Sequence, residues 1–499
     1  MSWERDRRPC LRSGRIGIAA LVVLTAGCRS MAPELVLPPA PVQAQFTGEE
    51  RPREEGAVAA AELAWSEFFP DARLQQLIRS ALENNRDLRA ASLRVQEARA
   101  AWGIQSGEGW PTLAIGAANG RARVPSGLSL TGEPTLGGVH AVGLGMAQWE
   151  LDFWGRVRSL DDAAQQTYLS AQEARRAASL SLLTQVAQGW LALCELDQRL
   201  LLARQALASR EESLRIFTRR LEVGSGSRLE LTQVRILAAQ ARALAVQLEQ
   251  QRTQQVDALT LLVGEPLPQL RQSLADGGSA GGLDHVAVAQ VAPGLPSALL
   301  TSRPDIVAAE HRLRAANARI GAARAAFFPR ITLTSALGTA SGELDGLFDA
   351  GSRAWLFAPT VSLPIFTGGR LRGNLDVSEI RRDIAIAEYE RAIQSAFRDV
   401  ADALAARQWY DQLLSIQDEA VAAETERARL ARLRFDAGSA AFLEVLDAQR
   451  DLLAVQQQRV QTQRAVLAAR IALYAALGGG SRVPGWPGAA RLPVSSARP

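Results

Sequence analysis

Between residues 433 and 450 the chain reads LRFDAGSAAFLEVLDAQR, and here side chains able to act on charge gather beside an apolar one. Leu443, Asp447 and Arg450 fall at i, i+4 and i+7, a single stripe of a helix, with Glu444 next to it. The chemistry that such a set offers is ion pairing rather than bond making. Its plainest form is an i,i+3 surface pair worth about 0.2–0.5 kcal/mol. An earlier stretch, TRRLEVGSGSRLELTQVR at 218–235, says nearly the same thing, with Gly224 in the place of Gly438. The acid has no counterpart there, because Gln233 stands where Asp447 would.

Elsewhere the residue types that do chemistry are scarce. The three histidines, His140, His285 and His311, are far apart and lack the H-E-x-x-H spacing of a zinc site. Three cysteines are too few for a disulfide framework or a Cys/His metal centre. No phosphate-binding loop, nucleophile elbow or dinucleotide fingerprint is present. The expectation is a protein without catalytic residues, metal or cofactor. Charge is nearly balanced at a formal +4, and every cation is an arginine. The first 27 residues carry +3 of that total, so the remainder sits near +1. No compact basic patch interleaved with aromatics appears, so nucleic acid is not an expected partner.

The opening MSWERDRRPCLRSGRIGIAALVVLTAGC has an arginine-rich start, an apolar run from Ile16 to Ala26 and small residues before Cys28. That is the anatomy of a secretory signal over 1–27, with an apolar run too short to span a bilayer as a helix. Gly27-Cys28 resembles a lipoprotein processing site, at which the cysteine is acylated, although Leu24 and Thr25 depart slightly from the usual pattern. Plain signal cleavage with an ordinary thiol at 28 is the alternative. Arg29, rather than an aspartate, follows the cysteine, which by resemblance sends the product to the outer membrane. The Pro- and Glu-rich stretch that follows makes 28–61 an extended tether.

Internal similarity organises the rest. ARAAWGIQSGEGWPTLAIGAANG (98–120) is answered by GAARAAFFPRITLTSALGTAS (321–341), and ELDFWGRVRSLDDA (150–163) by SLPIFTGGRLRGNLDV (362–377). The offsets are 218 for Pro111/Pro329, 213 for Phe153/Phe366 and 214 for Gly224/Gly438. The chain therefore reads as a tandem repeat, 62–266 and 297–480, joined by a Gly/Pro-rich connector at 267–296 and followed by a Pro-rich loose tail at 481–499. Neither Thr135–Glu265 nor Ile365–Val483 contains a proline, and both are rich in strong helix formers. Residues 156–223 alone predict about 100 Å of helix. Gly224 and Gly438 are then turns that send a second helix back. Helices this long must pack lengthwise on one another.

Each half also holds two strand-like segments ahead of its long helices. Ile331, Leu333 and Leu337 alternate with Thr332, Thr334 and Ala336, and Trp355, Phe357, Val361 and Leu363 alternate with small or polar residues. TLAIGAA repeats the idea weakly, and VHAVGLGMAQWELDF switches phase near Ala147, which asks for a bulge or a membrane exit. A soluble β-meander fits this pattern, but a length near ten residues also suits a tilted strand crossing a bilayer. In lipid, four strands cannot close a barrel, and open edges cost several kcal/mol per unpaired group. Crossing the membrane would thus oblige the chain to pool strands with copies of itself.

SRPDIVAAEHRLRAANARIGAARAAFFPRITL (302–333), FTGGR (366–370), LDAQRDLL (446–453) and LYAALGGG (473–480) resemble the TolC/OprM-type outer-membrane efflux channels, the outer-membrane factors of the NodT-like lipoprotein subfamily. The resemblance covers about residues 60–480. It implies a mainly α chain with a β-barrel portion. Three copies would form a twelve-stranded outer-membrane barrel that continues into a periplasmic α-helical tunnel. It also implies a passive exit duct for drugs and other toxic compounds. The partners would be a periplasmic adaptor (membrane fusion) protein, an inner-membrane pump of the resistance-nodulation-division type, and outer-membrane lipid. In family members the stripe matching Leu443, Asp447 and Arg450 lies at the constricted periplasmic end, which makes these residues, with Glu444, the expected gate. Gly224 and Gly438 then mark the tunnel tip. Phe435 stands where some members carry a tyrosine, and Ala440 where some carry an arginine, so closure here should lean on the 443–450 stripe.

Two other readings compete. A periplasmic adaptor would need a lipoyl-like β module with glycine-turned hairpins, which the sequence lacks. A structural coiled-coil lipoprotein leaves the duplicated strand pairs unexplained.

Overall fold

The computed structural model describes residues 30–42, 59–128, 133, 135–275, 280–291 and 296–483. The expected signal, Cys28, most of the tether and the tail beyond 483 lie outside these residues. In chain order the elements are α1 (Trp65–Phe68), α2 (Ala72–Asn84), α3 (Arg86–Gly107), β1 (Leu113–Val124), β2 (Thr135–Glu150), α4 (Arg156–Glu222) and α5 (Arg228–Val263). There follow α6 (Pro268–Ala275), α7 (Pro296–Ser302), α8 (Pro304–Ala325), β3 (Arg330–Ser341), β4 (Arg353–Ser362), α9 (Arg370–Asp436) and α10 (Phe442–Ala476). Both α4 and α9 run for 67 residues, about 100 Å each at 1.5 Å per residue. Proline-free, alanine- and arginine-rich sequence sustains that length, because nothing interrupts the i→i−4 ladder. The chain divides into two compact units: 96–170 and 309–389 with the N-terminal residues to 39, and 40–95 with 171–308 and 390–499.

The first unit carries the strands. They form one antiparallel sheet in the order β1-β2-β3-β4, two hairpins joined by β2 against β3. Partners across the sheet share a face, so one row runs Ile115–Leu144–Leu337–Trp355. All four of these side chains are exposed, the tryptophan 77% so. Rows below it on the same face add Leu113, Met146 and Phe357, then Trp149 and Leu333, then Ile331 and Val361. The opposite face is small: Gly116–Gly143–Gly338–Ala354 form one row. A Cβ on Gly338 would lie 2.2 Å from the Val142 carbonyl oxygen, so only glycine lets the strands approach there. The apolar band from Ile331 to Leu337 spans about 20 Å at 3.4 Å per residue, close to the height of a bilayer-facing barrel belt. Beyond it the same face turns polar with Arg353, His140 and Arg121.

The phase change near Ala147 is a bulge. The β2–β3 register slips between Met146 and Trp149, and Gln148 takes φ +51, whereas TLAIGAA is only the start of a β1 that continues to Val124. Below the sheet, the Leu151 amide donates to the Ile331 carbonyl (2.9 Å), and Trp154 stacks on Phe328 (4.9 Å) while its indole N–H donates to the Pro329 carbonyl (2.7 Å). Glu150 receives both Arg156 (2.8 Å) and Arg330 (2.7 Å). The described start of the tether lies on this unit, where Asn317 donates to the Pro33 carbonyl at 2.8 Å.

The second unit is helical. Its main apolar core joins Phe68, Leu74 and Ile78 to Trp190, Leu191 and Leu193 of α4, Leu259 of α5, and Ile471 and Tyr474 of α10. Tyr474 stacks on Phe68 at 4.0 Å, and its hydroxyl donates to the Leu63 carbonyl at 2.9 Å. Cys194 is fully buried in this core, and burial with Asp197 nearby pushes its thiol pKa up to about 12, so it is an inert packing residue. A strongly buried ion pair, Asp197 with Arg252, links α4 to α5, and Asp197 also accepts the Ala280 amide. Residues 267–296 contribute α6 and a 3-10 turn at Leu283–His285, and α7 begins at Pro296.

Candidate gate at the helix turns

Both helix turns are built by the same local chemistry. Gly438 adopts φ +71, its N–H donates to the Phe435 carbonyl, and the Ser439 N–H donates back to the Arg434 carbonyl, both at 2.9 Å. This is a Schellman cap, which consumes carbonyls that the end of α9 would otherwise leave bare. Gly224 at φ +75 does the same for α4, with the Ser225 N–H donating to the Arg220 carbonyl at 2.8 Å. The restarts differ. Ser227 and Glu230 close a capping box at the start of α5, whereas Ala441 offers α10 no side-chain cap. Glu444, the counterpart of Glu230, instead reaches Arg434 across the turn at 2.9 Å.

The two turns share an apolar cluster of Phe217, Leu231, Val234, Ala431, Phe442, Val445, Leu446 and Ala448. Phe442 lies 4.5 Å from the Phe217 ring and 4.8 Å from that of Phe435. Because Phe442, Val445 and Leu446 point into this cluster, helical geometry turns the 443–447–450 stripe away from it. Leu443 is 44% exposed, an isolated apolar side chain on an otherwise charged face. Asp447 and Arg450 meet at 3.0 Å.

That pair is one link of a longer chain. Arg450 also meets Asp451 at 3.0 Å, Asp451 meets Arg427 at 2.9 Å, and Arg427 meets Glu424 at 3.0 Å. The guanidiniums of Arg427 and Arg450 hold the Asp451 carboxyl below its ordinary pKa. Arg210 of α4 is buried beside this network, and one of its N–H groups donates to the Leu237 carbonyl at 3.2 Å. Burial first, and then the Arg450 charge, lower its pKa. The stripe residues named from the sequence thus fall on one exposed face, with Glu444 tied to the turn rather than to Asp447. The sequence reading omitted Asp451, Arg427, Glu424 and Arg210. A signal for Asp451 was available, because its repeat counterpart is Leu237, a sharper contrast than Asp447 against Gln233. Among the described residues no cluster of His, Cys, Asp and Glu could hold a metal ion.

An exposed apolar sheet face of bilayer height in a chain with two 67-residue helices and glycine-capped turns defines the class of outer-membrane channel proteins. The family model for outer membrane efflux proteins matches residues 77–265 and 295–479. The chain belongs to the outer membrane efflux protein family. The toluene efflux pump outer membrane protein TtgF of Pseudomonas putida is 45% identical over 471 residues, which cover 92% of this chain and 96% of TtgF. A membrane protein of Pseudomonas aeruginosa solved by crystallography superposes with a TM-score of 0.83 at 41% identity, over 90% of this chain and 100% of that one. The open-state MtrE outer membrane channel of Neisseria gonorrhoeae superposes with a TM-score of 0.81 at 37% identity, over 91% of this chain and 98% of MtrE. The protein is therefore an outer-membrane efflux component, with a sheet for the membrane and helices for a periplasmic tunnel.

Proposed function

We propose that three copies of this chain form a passive exit duct, with four strands from each contributing to a twelve-stranded barrel. The duct accepts cargo from a periplasmic adaptor and an inner-membrane pump of the resistance-nodulation-division type, and performs no chemistry itself. Its cargo is small organic toxicants of the kind for which the toluene-pump relative is named. Cys28, outside the described residues, is acylated and holds the mature chain to the outer membrane. The repeat boundaries, 62–266 and 297–480, mark two structurally equivalent halves of each protomer's share of the tunnel.

Leu443, Asp447 and Arg450 gate the periplasmic end, with Glu444 bracing the turn at Gly438 through Arg434. The observation that carries this is the orientation of the stripe. The apolar side of α10 is consumed by the cluster at Phe442, yet Leu443 and the ion pair lie on the other side. Threefold symmetry repeats that face around one axis, with Leu443 as an apolar plug and the charges as ties between helices. The test is single-channel conductance in planar bilayers. Arg450→Ala should raise it more than Asp447→Ala, because Asp451 still holds Arg450 when Asp447 is gone. The double variant should conduct most. A double variant that assembles normally and conducts like the parent removes these residues from the gate.

A further inference from the structure

Above the bulge, the charges of the four strands lie on one side only. The strands hold no acid there, and their cations Arg121, Arg123 and Arg353 all fall on the face of the apolar belt, as does His140. The opposite face at the same level is Gly120, Ala122, Gly137, Ala141, Ala340 and Ala354. Cations that served only solubility would have no reason to avoid that side. Glu133, Glu343, Asp345 and Asp349 stand in the two loops beyond the strand ends. Among the described residues no carboxylate pairs with the three exposed arginines, whereas Arg330 at the lower end of the sheet holds Glu150 at 2.7 Å. Gly138 adds an open slot: a Cβ there would lie 3.7 Å from Arg121 Cγ and 3.8 Å from His140 Nε2, so both side chains border the same space.

We infer that Arg121, Arg123 and Arg353, with His140, form a docking surface for the phosphates of lipopolysaccharide in the outer leaflet. This rests on the belt facing lipid. The Glu150 end of the sheet leads into α4, on the periplasmic side, so the arginines stand at the outer end. Trp355 closes the belt there, an amphipathic ring of the kind found where lipid meets water. From its row, Arg353 lies about 7 Å along the strands, His140 about 14 Å, Arg121 about 20 Å and Arg123 about 27 Å, at 3.4 Å per residue. A strand tilt of about 40° turns that range into heights of about 5–21 Å above the belt. That spread decides between two sources of phosphate. A phospholipid confines its phosphate to a headgroup layer about 5–8 Å deep, which only the lower groups reach. Lipopolysaccharide carries phosphates on its acylated sugars and again further out, in its core sugars, so its anionic layer is as deep as the patch. Guanidinium suits it, because two parallel N–H groups match two phosphate oxygens.

The test titrates the full chain, in a neutral detergent, with three fluorescent probes: rough lipopolysaccharide, the same glycolipid dephosphorylated, and phosphatidylglycerol. The parent should bind the first most tightly. Arg353→Gln should weaken that binding about 5-fold and the triple glutamine variant about 100-fold, the effect of one and of three cations beside an anionic membrane surface. The triple lysine variant keeps the charge and should keep most of the affinity, which separates loss of charge from loss of fold. Arg353→Gln with Ala354→Arg moves the cation to the other face and should stay weak. A triple glutamine variant that binds like the parent overturns the patch and leaves the belt standing. Phosphatidylglycerol bound as tightly as lipopolysaccharide, or no effect of dephosphorylation, overturns the choice of ligand. Parent affinity restored by Ala354→Arg means that the two faces are exchanged, and overturns the reading of the belt together with the patch.

Discussion

Glu230 and Glu444 occupy equivalent positions, yet one closes a capping box and the other bridges a turn, and the difference traces to Ser227 against Ala441. Loss of the hydroxyl at the second site frees an acid for Arg434, so a substitution elsewhere sets what the carboxylate does. His311 on α8 shows the same dependence on neighbours. Its Nδ1 lies 2.7 Å from the Gln166 side-chain oxygen; burial first, and then Arg314, lower its pKa from 6.5, while Glu310 opposes them. A lowered value means that the folded chain binds this proton less well than the unfolded one. The stabilisation is therefore complete above the ordinary histidine value and is lost as pH falls below it. His311→Gln, which keeps a polar side chain without the titration, should flatten the decline of the melting temperature between about pH 6.5 and 5. Equal slopes for parent and variant would place the acid sensitivity in other groups.

At the scale of elements, the two glycine turns share one backbone solution to one problem, the reversal of a 67-residue helix. A Cβ at Gly438 would meet nothing within 4 Å, so Gly438→Ala tests backbone strain free of any clash. The left-handed conformation costs an L-residue about 1–2 kcal/mol, or about 5–30-fold in a local opening equilibrium. Amide exchange across residues 433–446 should quicken by that factor while the core at Tyr474 is unchanged; unaltered exchange would mean that the cap contributes nothing to holding the turn. These turns, the long helices and the apolar strand face were legible in the sequence because each is written in local pattern: proline absence, glycine position, period-two alternation. Much of the charge network was not. Arg210 and Arg450 are 240 residues apart, and Arg427 reaches Asp451 only because α9 folds back through Gly438. β1 beyond Ala118 was faint for another reason. Asn119, Arg121 and Arg123 are poor strand formers, held in place by backbone bonding to β2.

At the scale of the whole molecule, the sheet has two faces that answer to two solvents. The row Ile115–Leu144–Leu337–Trp355 is exposed without a protein neighbour, which in water would be an aggregation hazard and in a bilayer is a lipid-facing belt. The glycine- and threonine-lined face, with Thr360 paired to Thr332 and Glu150 in the same row, belongs to the aqueous side. A single arginine should read out that asymmetry. Phe357→Arg, in an inner row of the band opposite Ser335, puts a charge inside the belt and should cost about 2–4 kcal/mol of folding into lipid, the price measured for a cation at the bilayer midplane. Thr360→Arg places the same charge on the face that carries Glu150, and should leave insertion nearly unchanged. Urea titration of protein refolded into phosphatidylcholine vesicles compares the two. Equal losses, or a larger loss at 360, would mean that the apolar face looks inward and that the assignment of the two faces must be exchanged.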